Sequence, residues 1–220
     1  MSDRSPQTIS TDPSPSPTPE RTPRGTSLRF SARDLLNVAV FVVIYFAVVT
    51  VVAMLGLVSP IVMLLALVLT PLIAGIPFML FVTRVTHAGM VTLFGLVMAV
   101  IYLLHGHPWQ STVLTLLLSV LAEVILWAGG YRSRWAAIWA YTVFSSWFIG
   151  PWIPFFLDRG AYLAGHAHGS RSADYLASLA EVATVPIVAI ALVATVVCGF
   201  LGGLLGSAVL RKHFEKAGLA

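Results

Sequence analysis

Charge is what this sequence has least of: Asp, Glu, Lys and Arg make up 10% of its 220 residues, against roughly 25% in soluble domains. With 58% hydrophobic residues and a mean hydropathy of +0.89, it reads as a polytopic membrane protein. Cysteine is nearly absent as well. Cys198 stands alone in an apolar run, which excludes an intramolecular disulfide and any two-thiol metal site. Neither a G-K-[ST] phosphate loop nor an H-E-x-x-H zinc-peptidase pattern occurs. The formal charge of +4 is therefore read as the basic bias of cytoplasmic loops, not as affinity for nucleic acid.

What is present follows in order. Residues 1–30 hold six Pro, six Ser and five Thr, a mixture too poor in apolar surface to offset the entropy of ordering. They are expected to form a disordered cytoplasmic tail, not a signal peptide. Ser31 and Asp34 fit a capping box that starts the first span, 34–57, whose 24 residues cover about 36 Å at 1.5 Å each. That exceeds the roughly 30 Å hydrocarbon layer. The second span, 60–84, contains Pro71 and Pro77 and is expected to kink or divide. Further spans are read at 89–104, 110–127, 135–157 and 181–210. Between the last two, Tyr175, Leu176, Leu179 and Val182 suggest a short amphipathic surface helix.

The expectation is an all-α bundle of six transmembrane helices, comprising residues 31–220, with both termini cytoplasmic. Of thirteen Lys and Arg, only Arg159 and Arg171 then fall outside. This orientation brings two loops together on the outer face, each carrying a histidine pair: His105 with His107, and His166 with His168. Imidazoles ligate zinc, nickel, copper or haem iron. Residues two apart share a face only on an extended segment, so a metal site requires the loops to converge. Glu123 is the clearest ionisable residue inside a span, and its place on the cytoplasmic side separates it from the histidines. Gly199, Gly202, Gly203 and Gly206 give two overlapping G-x-x-x-G spacings suited to close helix packing, within the bundle or against a partner.

Five stretches carry a family resemblance: DLLNVAVF (34–41), GIPFMLFVT (75–83), Ala122-Glu123 with GYRS (130–133), GPWIP (150–154) and KHFEKAG (212–218). In this order they resemble the Trep_Strep (MptD-type) family of membrane proteins, over about residues 31–218. The resemblance implies a substrate-binding S component of an energy-coupling factor (ECF) importer in the plasma membrane. Its expected partners are a transmembrane T component, two cytoplasmic ATPase subunits, membrane lipid and a small-molecule substrate. It implies no enzymatic activity, no metal and no resident cofactor. Docking on the T component maps to Ala39, Val43 and Ala47, where Val43 replaces the second small residue of the usual A-x-x-x-A. The substrate pocket maps to Trp109, Trp147, Trp152, Phe155, Tyr162, His105, His107, His166 and His168. An aromatic wall of this kind suits a flat organic micronutrient, and the paired histidines favour a tetrapyrrole such as haem over a vitamin. Two other classes remain as alternatives: an intramembrane enzyme using Glu123 and histidines, and a non-transporting scaffold packed through the last span.

Overall fold

Ser31 opens the first helix with the capping box expected of it. Its hydroxyl accepts from the Asp34 amide at 3.2 Å, and Asp34 Oδ2 accepts from the Ser31 amide at 2.9 Å. The computed structural model describes residues 30–85, 87–167 and 172–216, without the side chains of 166–167 and 213–216. Helix α1 (Ala32–Met54) ends in a 3-10 turn, Leu55–Leu57. It is followed by α2 (Pro60–Val82), α3 (Met90–Leu104), α4 (Trp109–Ala128) and α5 (Arg134–Ser145). A 3-10 segment, Ser146–Trp152, leads into α6 (Ile153–Leu157), then α7 (Arg159–Ala167), α8 (Ala173–Val182) and α9 (Val185–Lys216). No strand occurs among the described residues. Four segments are long and apolar enough to cross a membrane: Ala32–Leu57, Pro60–Val82, Trp109–Ala128 and Val185–Lys212. Helix α3 is also apolar but has 15 residues.

Helix α2 is not divided, and two other elements differ from the sequence expectation, each for a local reason. Helix α2 runs unbroken through Pro71 and Pro77. Hydroxyls of Thr70 and Tyr141 bond the Ala66 and Pro71 carbonyls, supplying polar contacts around the first proline. The fifth segment, by contrast, is not one α-helix. Pro151 and Pro154 cannot donate to the ladder, and the chain tightens into 3-10 geometry that contains Pro151 and ends before Pro154. The last helix starts at Val185, because Glu181 belongs to α8 and the chain turns at Ala183.

Close approach of backbones sets the packing. A Cβ on Gly75 would lie 2.3 Å from the Gly202 carbonyl oxygen, and one on Gly202 would lie 2.3 Å from that of Pro71. Helices α2 and α9 therefore touch backbone to backbone. Gly199 and Gly203 face the neighbouring helix, against Ser145 and Ile138 of α5. Since Arg134 of α5 also meets Ser207 of α9, the two run antiparallel. Helix α3 likewise runs antiparallel to α4, with Gly95 against Ser119 and the Val91 amide on Glu123. Both G-x-x-x-G pairs are thus used inside the bundle, which takes them away from a scaffold built on that helix.

The centre is aromatic. Phe78 stacks on Phe144 at 4.9 Å and Phe81 on Phe94 at 4.8 Å, while Tyr45 meets the edges of Phe78, Phe94 and Phe144. Lipid is as apolar as this core, so shape and ring geometry, about 0.5–1.5 kcal/mol per pair, have to hold the helices together. Large side chains such as Leu36, Val51, Leu117 and Val193 face outward, as lipid-facing residues would. The bundle has two distinct ends. Arg84, Arg132, Arg134, Arg211 and Lys212 gather where α2, α4 and α9 finish and α5 begins, which we call the basic end. The other is the histidine end.

Candidate functional site

At the histidine end, α3 finishes at Leu104 and the chain turns through His105, Gly106 at φ +85° and His107 before Pro108 caps α4. This turn folds the His107 ring over Tyr102, 4.8 Å away, and Tyr102 stacks on Trp147 at 4.5 Å. Trp147 in turn stacks on Phe148 at 4.3 Å, and its indole N–H donates to Tyr45 Oη at 3.3 Å. A ladder of rings results, held by three elements. Two of its polar atoms, Tyr102 Oη and His107 Nδ1, are buried with no hydrogen-bond partner in the described chain, as are Gln110 Oε1 and Thr112 Oγ1 on the first turn of α4. Buried polar groups are nearly always partnered, so two exceptions on touching rings call for an explanation, and a ligand is one. Burial first, and the nearby His105 second, push the His107 imidazole below its usual pKa. It is held neutral, able to donate from one ring nitrogen and accept at the other.

The remaining pocket residues named from the sequence divide. Trp152, Phe155 and Tyr162 form a second aromatic cluster, with ring centroids 5.5–5.8 Å apart, packed with Leu64, Leu179 and Val188. Trp147 belongs to the first cluster, not to this one. Trp109 joins neither and is 66% exposed on the first turn of α4. His105 is exposed, with Nδ1 bonded to the Ile101 carbonyl at 2.8 Å and its ring against Phe46. The described histidine pair therefore takes different neighbours, and no group of three or more His, Cys, Asp or Glu able to hold a metal occurs among the described residues. The His166 side chain and all of His168 lie outside the described residues. Ala39, Val43 and Ala47 are all exposed along one face of α1. Tyr102, Tyr45 and Phe148 were missed by sequence reasoning. Tyr102 lies three residues before His105, one helical turn inside the apolar run, and that spacing could have flagged it.

Asp158 and Arg159 secure the lid-like segment beside the second cluster. Asp158 Oδ1 accepts from the Ala161 amide at 2.9 Å, and Arg159 donates to the carbonyls of Ala183 and Ala180. Helix α8 packs as the amphipathic element expected, burying Leu179 and placing Tyr175 Oη 2.9 Å from the Gly56 carbonyl.

Glu123 sits at the opposite end of α3. Its Oε2 accepts from the Val91 and Thr92 amides at 2.7 and 3.0 Å, and its Oε1 accepts from Tyr131 Oη at 2.6 Å. Gly89, the residue before α3, has no side chain with which to cap it, and a carboxylate from α4 does so instead. Tyr131 is held at φ +56°, in the left-handed region, by this bond and by its amide on the Leu126 carbonyl. Burial, then the bond to Glu123 and its charge, push the Tyr131 phenol up, keeping it a donor. At 1.5 Å per residue, roughly 20 Å of α3 separates Glu123 from His105 and His107. They cannot share one reacting centre.

An all-helical chain with long apolar spans and a match to a bacterial membrane family leaves one assignment. The family model described as "hypothetical bacterial integral membrane protein (Trep_Strep)" matches residues 32–216. The chain belongs to the Trep_Strep family. No curated protein and no solved structure matches it. As a Trep_Strep protein it is an integral membrane protein.

Proposed function

We propose that this Trep_Strep protein is the substrate-capturing S component of an ECF-type importer, binding a small, flat organic micronutrient at its histidine end. The observation that carries this reading is the ring ladder of His107, Tyr102, Trp147 and Phe148, in which Tyr102 Oη and His107 Nδ1 are buried without partners. Aromatic faces supply contact area and fixed geometry, and the polar atoms would fix a ligand's orientation. In this reading six segments cross the plasma membrane, α3 and the composite 134–157 included, and both termini are cytoplasmic. The antiparallel pairing of α3 with α4 and of α5 with α9 supports that count. The exposed face of α1 bearing Ala39, Val43 and Ala47 would dock on a T component driven by two ATPases, since this chain holds no phosphate loop of its own. Haem stays within the substrate class, bound through one imidazole and not a matched pair.

Two measurements test the proposal. A tagged chain isolated from its native bacterium should bring down a membrane T component and two ATPases, and recovery without any ATPase sinks the transport role. Titration of purified protein with haemin and with riboflavin, followed by tryptophan emission, tests the capture site. Binding that survives Trp147→Leu and His107→Ala together would remove the ring ladder as its location.

A further inference from the structure

We propose that a cleft at the basic end binds the phosphate-bearing headgroup of an anionic phospholipid. The cleft measures about 200 Å³ and opens between the ends of α2, α4 and α9 and the start of α5. Its floor is apolar, with Met79, Val82 and Leu126, and its rim carries Tyr131, Arg132 and Arg134. Arg134 Nε donates to Ser207 Oγ at 3.0 Å, which fixes the guanidinium at the rim. Neither arginine meets a carboxylate among the described residues. Among the described side chains, the acidic groups at this end are committed elsewhere, Asp34 to Ser31 and His87, and Glu123 to α3 and Tyr131. Two guanidinium groups with no acidic partner among the described residues form a good match for a phosphodiester, whose oxygens accept paired N–H donors.

The floor selects between sources of phosphate. Inorganic phosphate gains nothing from Met79, Val82 and Leu126, whereas a lipid's glycerol and first methylenes would cover them. Depth points the same way. Trp127 and Trp135 are 65% and 58% exposed on the helix ends that flank the Arg132 turn, and exposed indoles gather at the membrane–water boundary. The cleft therefore stands at headgroup level. Basic pockets between helix ends on the cytoplasmic side suit such headgroups. This site is independent of any ligand at the histidine end.

The test uses the full chain, delipidated in detergent, with phosphatidylglycerol and phosphatidylcholine as probes and retention read by native mass spectrometry. Phosphatidylglycerol should be retained in preference, and Arg132→Gln should weaken it roughly fivefold. Arg132 is exposed and outside any helix, so its substitution should leave folding intact, whereas Arg134→Gln would also break the bond to Ser207. Arg33→Gln, at the same end on α1 but away from the cleft, should change nothing. Equal retention of the two lipids overturns the proposal, as does an Arg33→Gln loss equal to that of Arg132→Gln, which would mean diffuse charge. Displacement of phosphatidylglycerol by millimolar inorganic phosphate would reassign the site to the free ion.

Discussion

At the scale of single residues, Glu123 and His107 show how differently two polar groups can be used in one bundle. Glu123 has both oxygens engaged, closing the start of α3 and holding Tyr131 in its left-handed turn. Removing it would leave two amides and a phenol without partners, so Glu123→Ala should cost roughly 3 kcal/mol and Glu123→Gln distinctly less. Thermal melting in detergent measures this, and an unchanged midpoint for the alanine variant would refute the capping role. His107 is the reverse case, a buried group whose Nδ1 has no partner. Because the fold lowers its pKa, the unfolded chain takes up the proton first as pH falls. Its linkage with stability is therefore neutral above about 6.5, the unfolded value, and unfavourable below it, growing until the folded pKa is passed. The melting temperature should drop between pH 7 and 5, and His107→Gln should flatten that drop. A variant as acid-sensitive as the native protein would exclude His107 as the cause.

Among elements, legibility in the sequence depended on how local the cause was. The Ser31 capping box, the amphipathic α8 and the long apolar helices follow from neighbouring residues, and sequence spacing was enough to find them. The contact that holds α2 at Pro71 was not legible, because the tyrosine that bonds its carbonyl lies on α5, 70 positions away. The aromatic site was half legible. Trp147 and His107 stood out as residue types, but nothing local says that Trp147 joins Tyr102 while Trp152 and Phe155 join α8 and α9. The glycine pattern showed that a close contact existed without saying with what. Gly202 now has a specific neighbour, the Pro71 carbonyl, and Gly202→Ala should push α2 from α9 at a cost of about 1–3 kcal/mol. Gly165→Ala makes the control, since nothing lies within 4 Å of a Cβ there. Similar melting shifts for the two variants would mean that the α2–α9 contact is looser than described.

For the whole molecule, the open quantity is how many segments cross the membrane, and four and six crossings place the same loops on opposite sides. If only the four long helices cross, α3 returns to the side it came from, leaving residue 105 with the N-terminus and residue 133 across the membrane. If α3 and the 134–157 segment cross as well, the two positions exchange sides. The helix pairing favours six. Gly95 against Ser119 and Val91 against Glu123 run α3 alongside α4 from end to start, and α5 tracks α9 in the same way through Arg134, Ile138 and Ser145. A helix laid flat on the surface could not keep such contacts with a spanning neighbour over several turns. The basic residues agree, since six crossings collect Arg84, Arg132, Arg134, Arg211 and Lys212 on one side, where positive loops are retained. With Cys198 replaced by Ala, a single new cysteine reports each loop. In intact cells a membrane-impermeant maleimide should label His105→Cys, and should reach Ser133→Cys and Arg33→Cys only after permeabilisation. Labelling of Ser133→Cys in intact cells, with His105→Cys protected, would establish four crossings and remove the histidine end from the outer face.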